Sequence, residues 1–143
     1  VNKKQTGIEW INIDSELNEG SGKLSLSAYD NLVLLTLMQT HEYGMDAEIE
    51  LNTLEFAKLI DILKRAHRMI CNKEMPQKRN CVGLIRLNNS SPTKQGIIII
   101  NLFKNYIIFG VSLKTGGDPE IKMNQDQTLA LLELFIKMSK GTG

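Results

Sequence analysis

Two cysteines in 143 residues are too few for a disulfide framework. Cys71 and Cys81 read as free thiols, which places the chain in the cytoplasm or another reducing compartment. No apolar run approaches the roughly 20 residues of a membrane span. No apolar stretch follows the charged start Val1-Asn2-Lys3-Lys4-Gln5, so no secretory signal is expected. Charge of one sign is also missing: 17 Lys+Arg against 16 Asp+Glu leave +1, so any basic surface must come from segregation of charge. Aromatic residues make up only 6%, which leaves few flat side chains for a stacking surface.

Catalytic and metal motifs are missing as well. Gly20-Ser21-Gly22-Lys23 fails as a P-loop, because Leu17 stands where the first glycine belongs and Leu24 replaces the Ser or Thr. His41, His67 and the cysteines have no zinc spacing, so no metal or cofactor is expected. Asp14, Glu16 and Glu19 cluster without a nucleophile, and His67 reads as a packed histidine. No enzyme is expected from these residues.

What is present is an internal repeat. Glu48-Ile49-Glu50-Leu51-Asn52 matches Glu120-Ile121-Lys122-Met123-Asn124, 72 residues on. The register continues into Leu59-Ile60-Asp61-Ile62-Leu63 against Leu131-Leu132-Glu133-Leu134-Phe135. Two copies of this length imply one domain, residues 1–143, built from pseudo-repeats at 8–72 and 80–140.

Within the first copy, residues 1–7 read as a frayed end and 8–14 as a strand with Ile11 and Ile13 on one face. A loop at 15–22 follows, containing Asn18, Gly20, Ser21 and Gly22. Residues 23–29 alternate, with Leu24, Leu26 and Ala28 facing one way. Asp30-Asn31 reads as a tight turn. The apolar run 32–40 reads as a strand, with a short helix as the competing assignment, and 47–51 as a fourth strand. Asn52 with Glu55 three residues later predicts a capping box. Phe56, Ile60, Leu63, His67 and Ile70 then fall at helical spacing, and Pro76 marks the far limit.

The second copy repeats this order. Strands are expected at 81–88, 96–103, 106–114 and 120–123, with loops at 89–92 and 115–119 and a turn at Lys104-Asn105. Ile97 to Ile100 are four consecutive β-branched residues. Ile107, Phe109, Val111 and Leu113 are expected inward; Tyr106, Ile108, Gly110, Ser112 and Lys114 outward. Asn124 and Gln127 predict the second capping box, and the last helix runs over about 125–140. At the 72-residue offset Leu26 matches Ile98, Ala28 matches Ile100, Leu35 matches Ile107 and Leu37 matches Phe109. The expected class is α+β: two tandem β-β-β-β-α units, antiparallel sheets packed on two helices. The last helix is apolar nearly all round, so it needs cover from its sheet and from the sister helix or another subunit.

Tandem units of this kind resemble the single-stranded-DNA-binding transcriptional regulators: the Whirly, Pur, kinetoplast guide-RNA-binding and positive-cofactor-four families. Residues 49–59, Ile49-Glu50-Leu51-Asn52-Thr53-Leu54-Glu55-Phe56-Ala57-Lys58-Leu59, are similar to the short strand, polar turn and Glu-Phe-x-x-Leu helix start of the positive-cofactor-four family. Gly22-Lys23-Leu24-Ser25-Leu26 is faintly similar to a Lys-Gly-Lys-Ala-Ala-Leu stretch of Whirly proteins. The resemblance covers about residues 8–140. It implies a Whirly/Pur-like arrangement, single-stranded DNA or RNA as partner, and a homo-oligomer joined through its helices.

Such binding needs cations for phosphates and flat side chains for bases. The outward candidates are Lys23, Tyr29, Arg86, Lys94, Lys104, Tyr106 and Lys114. Trp10 could add a stacking surface; the alternative is core packing. The competing reading makes all of them ordinary solvated sheet residues. The basic stretch Lys64-Arg65-Ala66-His67-Arg68, continued by Lys73, Lys78 and Arg79, could grip phosphate or simply solvate a helix end. The expected function is non-catalytic binding of single-stranded DNA or RNA in transcription, replication or recombination. The alternative is a protein-interaction or scaffolding module of the same fold, and a weaker one a small enzyme whose site is assembled from loops.

Overall fold

The computed structural model describes residues 5–17, 19–29, 31–88 and 92–142. The expected loop residues Asn18 and 89–91, residue Asp30 of the first turn and residues 1–4 of the expected frayed end lie outside the described residues; residues 5–7 of that end are strand instead, paired to β2. The chain forms β1 (Gln5–Ile13), β2 (Gly22–Tyr29), β3 (Leu32–Gln39), β4 (Asp46–Asn52) and α1 (Thr53–Cys71). It then forms β5 (Asn80–Leu87), a 3₁₀ turn (Pro92–Lys94), β6 (Gly96–Phe103), β7 (Tyr106–Leu113), β8 (Glu120–Met123) and α2 (Gln125–Thr142). The two sheets are four-stranded, antiparallel and ordered as in the sequence. Residues 32–40 are therefore strand, not helix, up to Gln39. The 3₁₀ turn after the second loop was not expected.

Both helices start as the sequence predicts. Asn52 Oδ1 accepts from the Glu55 amide at 2.8 Å, and Glu55 Oε1 accepts from the Asn52 amide at 2.8 Å. Asn124 and Gln127 repeat the exchange at 2.8 and 2.9 Å. Each box satisfies two of the amide donors that a helix start leaves without intrahelical partners.

The core is one cluster between the sheets, but the helices are shared rather than owned. The helix α1 packs on β3 and β4 of its own half and on β5, β6 and β7 of the other. The helix α2 packs on β7 and β8 and, across the molecule, on β1 and β2. This corrects the expectation of one sheet behind one helix. It also explains the apolar circumference of α2: Leu131 and Phe135 are fully buried, with Leu132 and Met138 nearly so, between two sheets and α1. Phe135 meets Phe56 of α1 at 5.4 Å between ring centroids and Phe109 of β7 at 6.3 Å, edge-on. Each buried ring contributes a few kcal/mol, on the order of the ~3–5 kcal/mol lost on truncation to alanine.

The sheets of the two halves meet where β8 lies against β1 and β3, and where β4 lies against β7 and the 3₁₀ turn. The Lys122 amide donates to Gly20 O at 2.9 Å, and Gln39 Nε2 donates to Glu120 O at 3.1 Å. On the other side Lys94 reaches Glu48 at 2.8 Å. Arg79 holds Glu120 through two bonds of 2.7 and 2.9 Å, tying the connector after α1 to β8.

Candidate nucleic-acid interface

Each sheet turns one face to the core and one outward, and strand pairing sets which outward residues become neighbours. On the first sheet three rows cross the outer face. They are Ile8-Ser27-Leu34-Glu50, Trp10-Ser25-Thr36-Glu48 and Asn12-Lys23-Met38-Asp46. On the second sheet the rows are Arg86-Ile97-Ser112, Leu84-Ile99-Gly110-Glu120 and Cys81-Asn101-Ile108-Lys122.

The charges on the two faces differ. On the first, Lys23 stands against Asp46, Glu48 and Glu50, which alternate along β4. On the second, Arg86 and Lys122 stand against Glu120, whose carboxylate is taken by Arg79. Lys104 and Lys114 lie at turns bounding the same sheet. A chain of net charge +1 thus segregates its charge between two surfaces, and the second sheet carries the positive one.

Of the sequence candidates, Arg86 and Lys114 come together. They flank a hollow of about 330 Å³ floored by Gly96, Ile97 and Ser112 and rimmed by Asn88 and Gln95. No carboxylate is among its described lining residues. Lys114 Nζ also donates to Gln95 Oε1 at 3.3 Å, which sets the ammonium at the rim. A second hollow of about 210 Å³ continues along the face past Ser112 to Ile99, Gly110 and Arg79, with Asp118 and Glu120 also in its lining. Gly110 carries no side chain there, so the floor stays low beside Ile99.

The other candidates lie elsewhere. Lys94 is engaged with Glu48, whose hydrogen bond raises the lysine above its ordinary value against the opposing effect of burial. Lys104, at positive φ in the β6–β7 turn, sits 5.4 Å over the Phe103 ring, at the far end of the second sheet. Tyr106 beside it donates to Glu16 at 3.1 Å. Its phenol is raised by burial first, then by that hydrogen bond and the Glu16 charge. Tyr29 is half-buried at the end of β2, opposite Leu32. Lys23 lies on the first sheet, its ammonium 4.9 Å from the Trp10 ring. Trp10 is 57% exposed, so the core-packing alternative is overturned. Ile108, expected on the solvent face, is 1% exposed among its neighbours.

Lys64, Arg65 and Arg68 are exposed along α1, and Arg79 has become the clamp on Glu120. His67 is half-buried, with its ring 3.7 Å from the Cys71 sulfur. Both cysteines are free and exposed. Among the described residues no group of three or more His, Cys, Asp or Glu could hold a metal ion. Among them, too, no helix is long and apolar enough to cross a membrane.

The floor of the groove was missed in the sequence. Outward alternation marks Ser112, but its place beside Ile97 and Arg86 follows only from the register of three strands. Against models of known protein families and against curated proteins, the chain has no match.

Proposed function

We propose that this protein is a non-catalytic binder of single-stranded DNA or RNA, carrying the strand on the outer face of its second sheet. One observation carries the reading: Arg86 and Lys114 flank a shallow groove floored by Gly96, Ile97 and Ser112, with no carboxylate among its described lining. Cations at a rim suit phosphates, and a low floor leaves room for the bases beside them. A second hollow continues past Ser112 over Ile99 and Gly110, where Asp118 and the Arg79-paired Glu120 join the lining, so the cationic stretch is the part at Arg86 and Lys114. Further along the sheet lie the half-buried rings of Phe103 and Tyr106 with Lys104. Arg86 suits this work because its planar guanidinium can pair a phosphate through two bonds or stack on a base.

The tandem β-β-β-β-α units support the same reading by their resemblance to the Whirly and Pur folds, an argument from analogy. The helices are covered within the chain, so the reading does not call on a second copy.

The test is fluorescence polarisation with labelled oligo-dT and oligo-U at two salt concentrations. Binding that weakens steeply with salt is the expected result. Absence of binding at micromolar protein in low salt would retire the proposal.

A further inference from the structure

The first sheet offers a surface of a different kind. Ile8 and Trp10, two residues apart on the edge strand β1, are 61% and 57% exposed and form an apolar wall. Aromatic side chains such as Trp10 are enriched at association sites relative to the rest of a protein surface. Three strands away, about 14 Å at ordinary strand spacing, Asp46, Glu48 and Glu50 form an acidic wall on β4. Ser25, Ser27, Leu34 and Thr36 lie between the two, and Lys23 stands beside Trp10, so the floor is mixed in character.

We infer that this trough is a docking site for an extended, basic segment of a partner protein, its cations on β4 and its apolar side chains on Ile8 and Trp10. Charge complementarity selects the occupant. A nucleic-acid backbone would bring phosphates against Asp46 and Glu50 beside the Lys94-paired Glu48, which like-charge repulsion opposes. A peptide in extended conformation repeats alternate side chains every ~6.8 Å, the same repeat as alternate residues of β4. Lys94 already shows how a lysine is received on this wall: it meets Glu48 at 2.8 Å. Glu50 adds to the field that favours its charge. The two sheets thus take opposite partners, nucleic acid on one and basic protein on the other.

Trp10 is the only tryptophan in the chain, so its emission reports on this face alone. The test titrates the full chain with a blocked octapeptide of alternating lysine and leucine, with a glutamate–leucine peptide as control. The expected result is a saturable change of Trp10 emission with the lysine peptide and none with the control. The D46K/E50K variant should weaken binding by about tenfold, the sum of two exposed ion pairs lost. The milder D46N/E50Q variant should fall between, which guards against a variant that does not fold. Unchanged emission with the lysine peptide overturns the inference, as does equal affinity in the charge variants. Quenching of Trp10 by oligo-dT at matching stoichiometry also overturns it and assigns the face to nucleic acid. Binding of oligo-dT without any change at Trp10 is the expected companion result and leaves the two sheets independent.

Discussion

Gly22 and Gly96 hold the same place in the two halves. Each opens the second strand of its sheet, and each pairs with the last residue of the third, Gln39 or Leu113. A β-carbon on Gly22 would stand 2.6 Å from Met38 O, and one on Gly96 closer still to Ser112 O. Backbone oxygens cannot swing aside as a side-chain tip can, so both positions exclude a side chain. These partners, like the glycines, are 74 residues apart, whereas the capping boxes and the last strands repeat at 72.

Gly22→Ala and Gly96→Ala are therefore expected to lose about 1–3 kcal/mol each, the usual result of overfilling a packed site. Gly110 is the control. A β-carbon there meets nothing nearer than 3.6 Å, so Gly110→Ala should be neutral or stabilising by up to about 1 kcal/mol. Urea denaturation of the three variants decides; equal stability of all three would refute the account.

Phe135 links three elements through its contacts with Phe56 and Phe109. Phe135→Ala should cost about 3–5 kcal/mol, through lost burial and the cavity left behind. Phe135→Leu should cost less, since it keeps most of the volume. A thermal melt showing a small loss for the alanine variant would mean that α2 is not held by this cluster.

For the groove, Arg86→Glu with Lys114→Glu should abolish most oligonucleotide binding. Single neutral substitutions, Arg86→Gln or Lys114→Gln, should each lower the slope of log K against log salt by about 0.7, one phosphate contact on a single strand. Lys23→Gln, on the other sheet, should leave that slope unchanged. If Lys23→Gln matches the groove variants, the strand does not run over the second sheet.

Tyr106 should titrate above the ordinary tyrosine value, because burial and Glu16 both favour its neutral hydroxyl. The sign follows from linkage: a raised folded value gives stability present below the ordinary 10.0 and lost as pH rises through the raised one. Glu16→Gln should bring the phenol down only part of the way, because burial, the larger cause, stays. Following phenolate absorbance through an alkaline titration of both proteins gives the answer. An alkaline titration that Glu16→Gln leaves unchanged would remove the Glu16 contact from consideration.

Alternation, turn residues and capping signatures lie within a few positions of one another, and local stereochemistry makes them speak for local structure. The order of eight strands and two helices was legible for that reason, as were Asn52 with Glu55 and Asn124 with Gln127. The repeat was legible too, but its register was read two residues short in β2–β3 against β6–β7. Leu26 corresponds to Ile100, not Ile98, and Leu35 to Phe109, not Ile107. A slip of two keeps every side chain on its own face, so the alternation could not betray it.

Tertiary structure alone decided the rest. The crossing of α2 onto β1 and β2, and the meeting of Arg86 with Lys114 over Ile97 and Ser112, join residues far apart in the chain. So does the parting of charge between two faces that share one nearly neutral composition. A sequence states which way each side chain points along its own strand; which strands lie side by side, and therefore which charges share a surface, is settled by packing over the whole core.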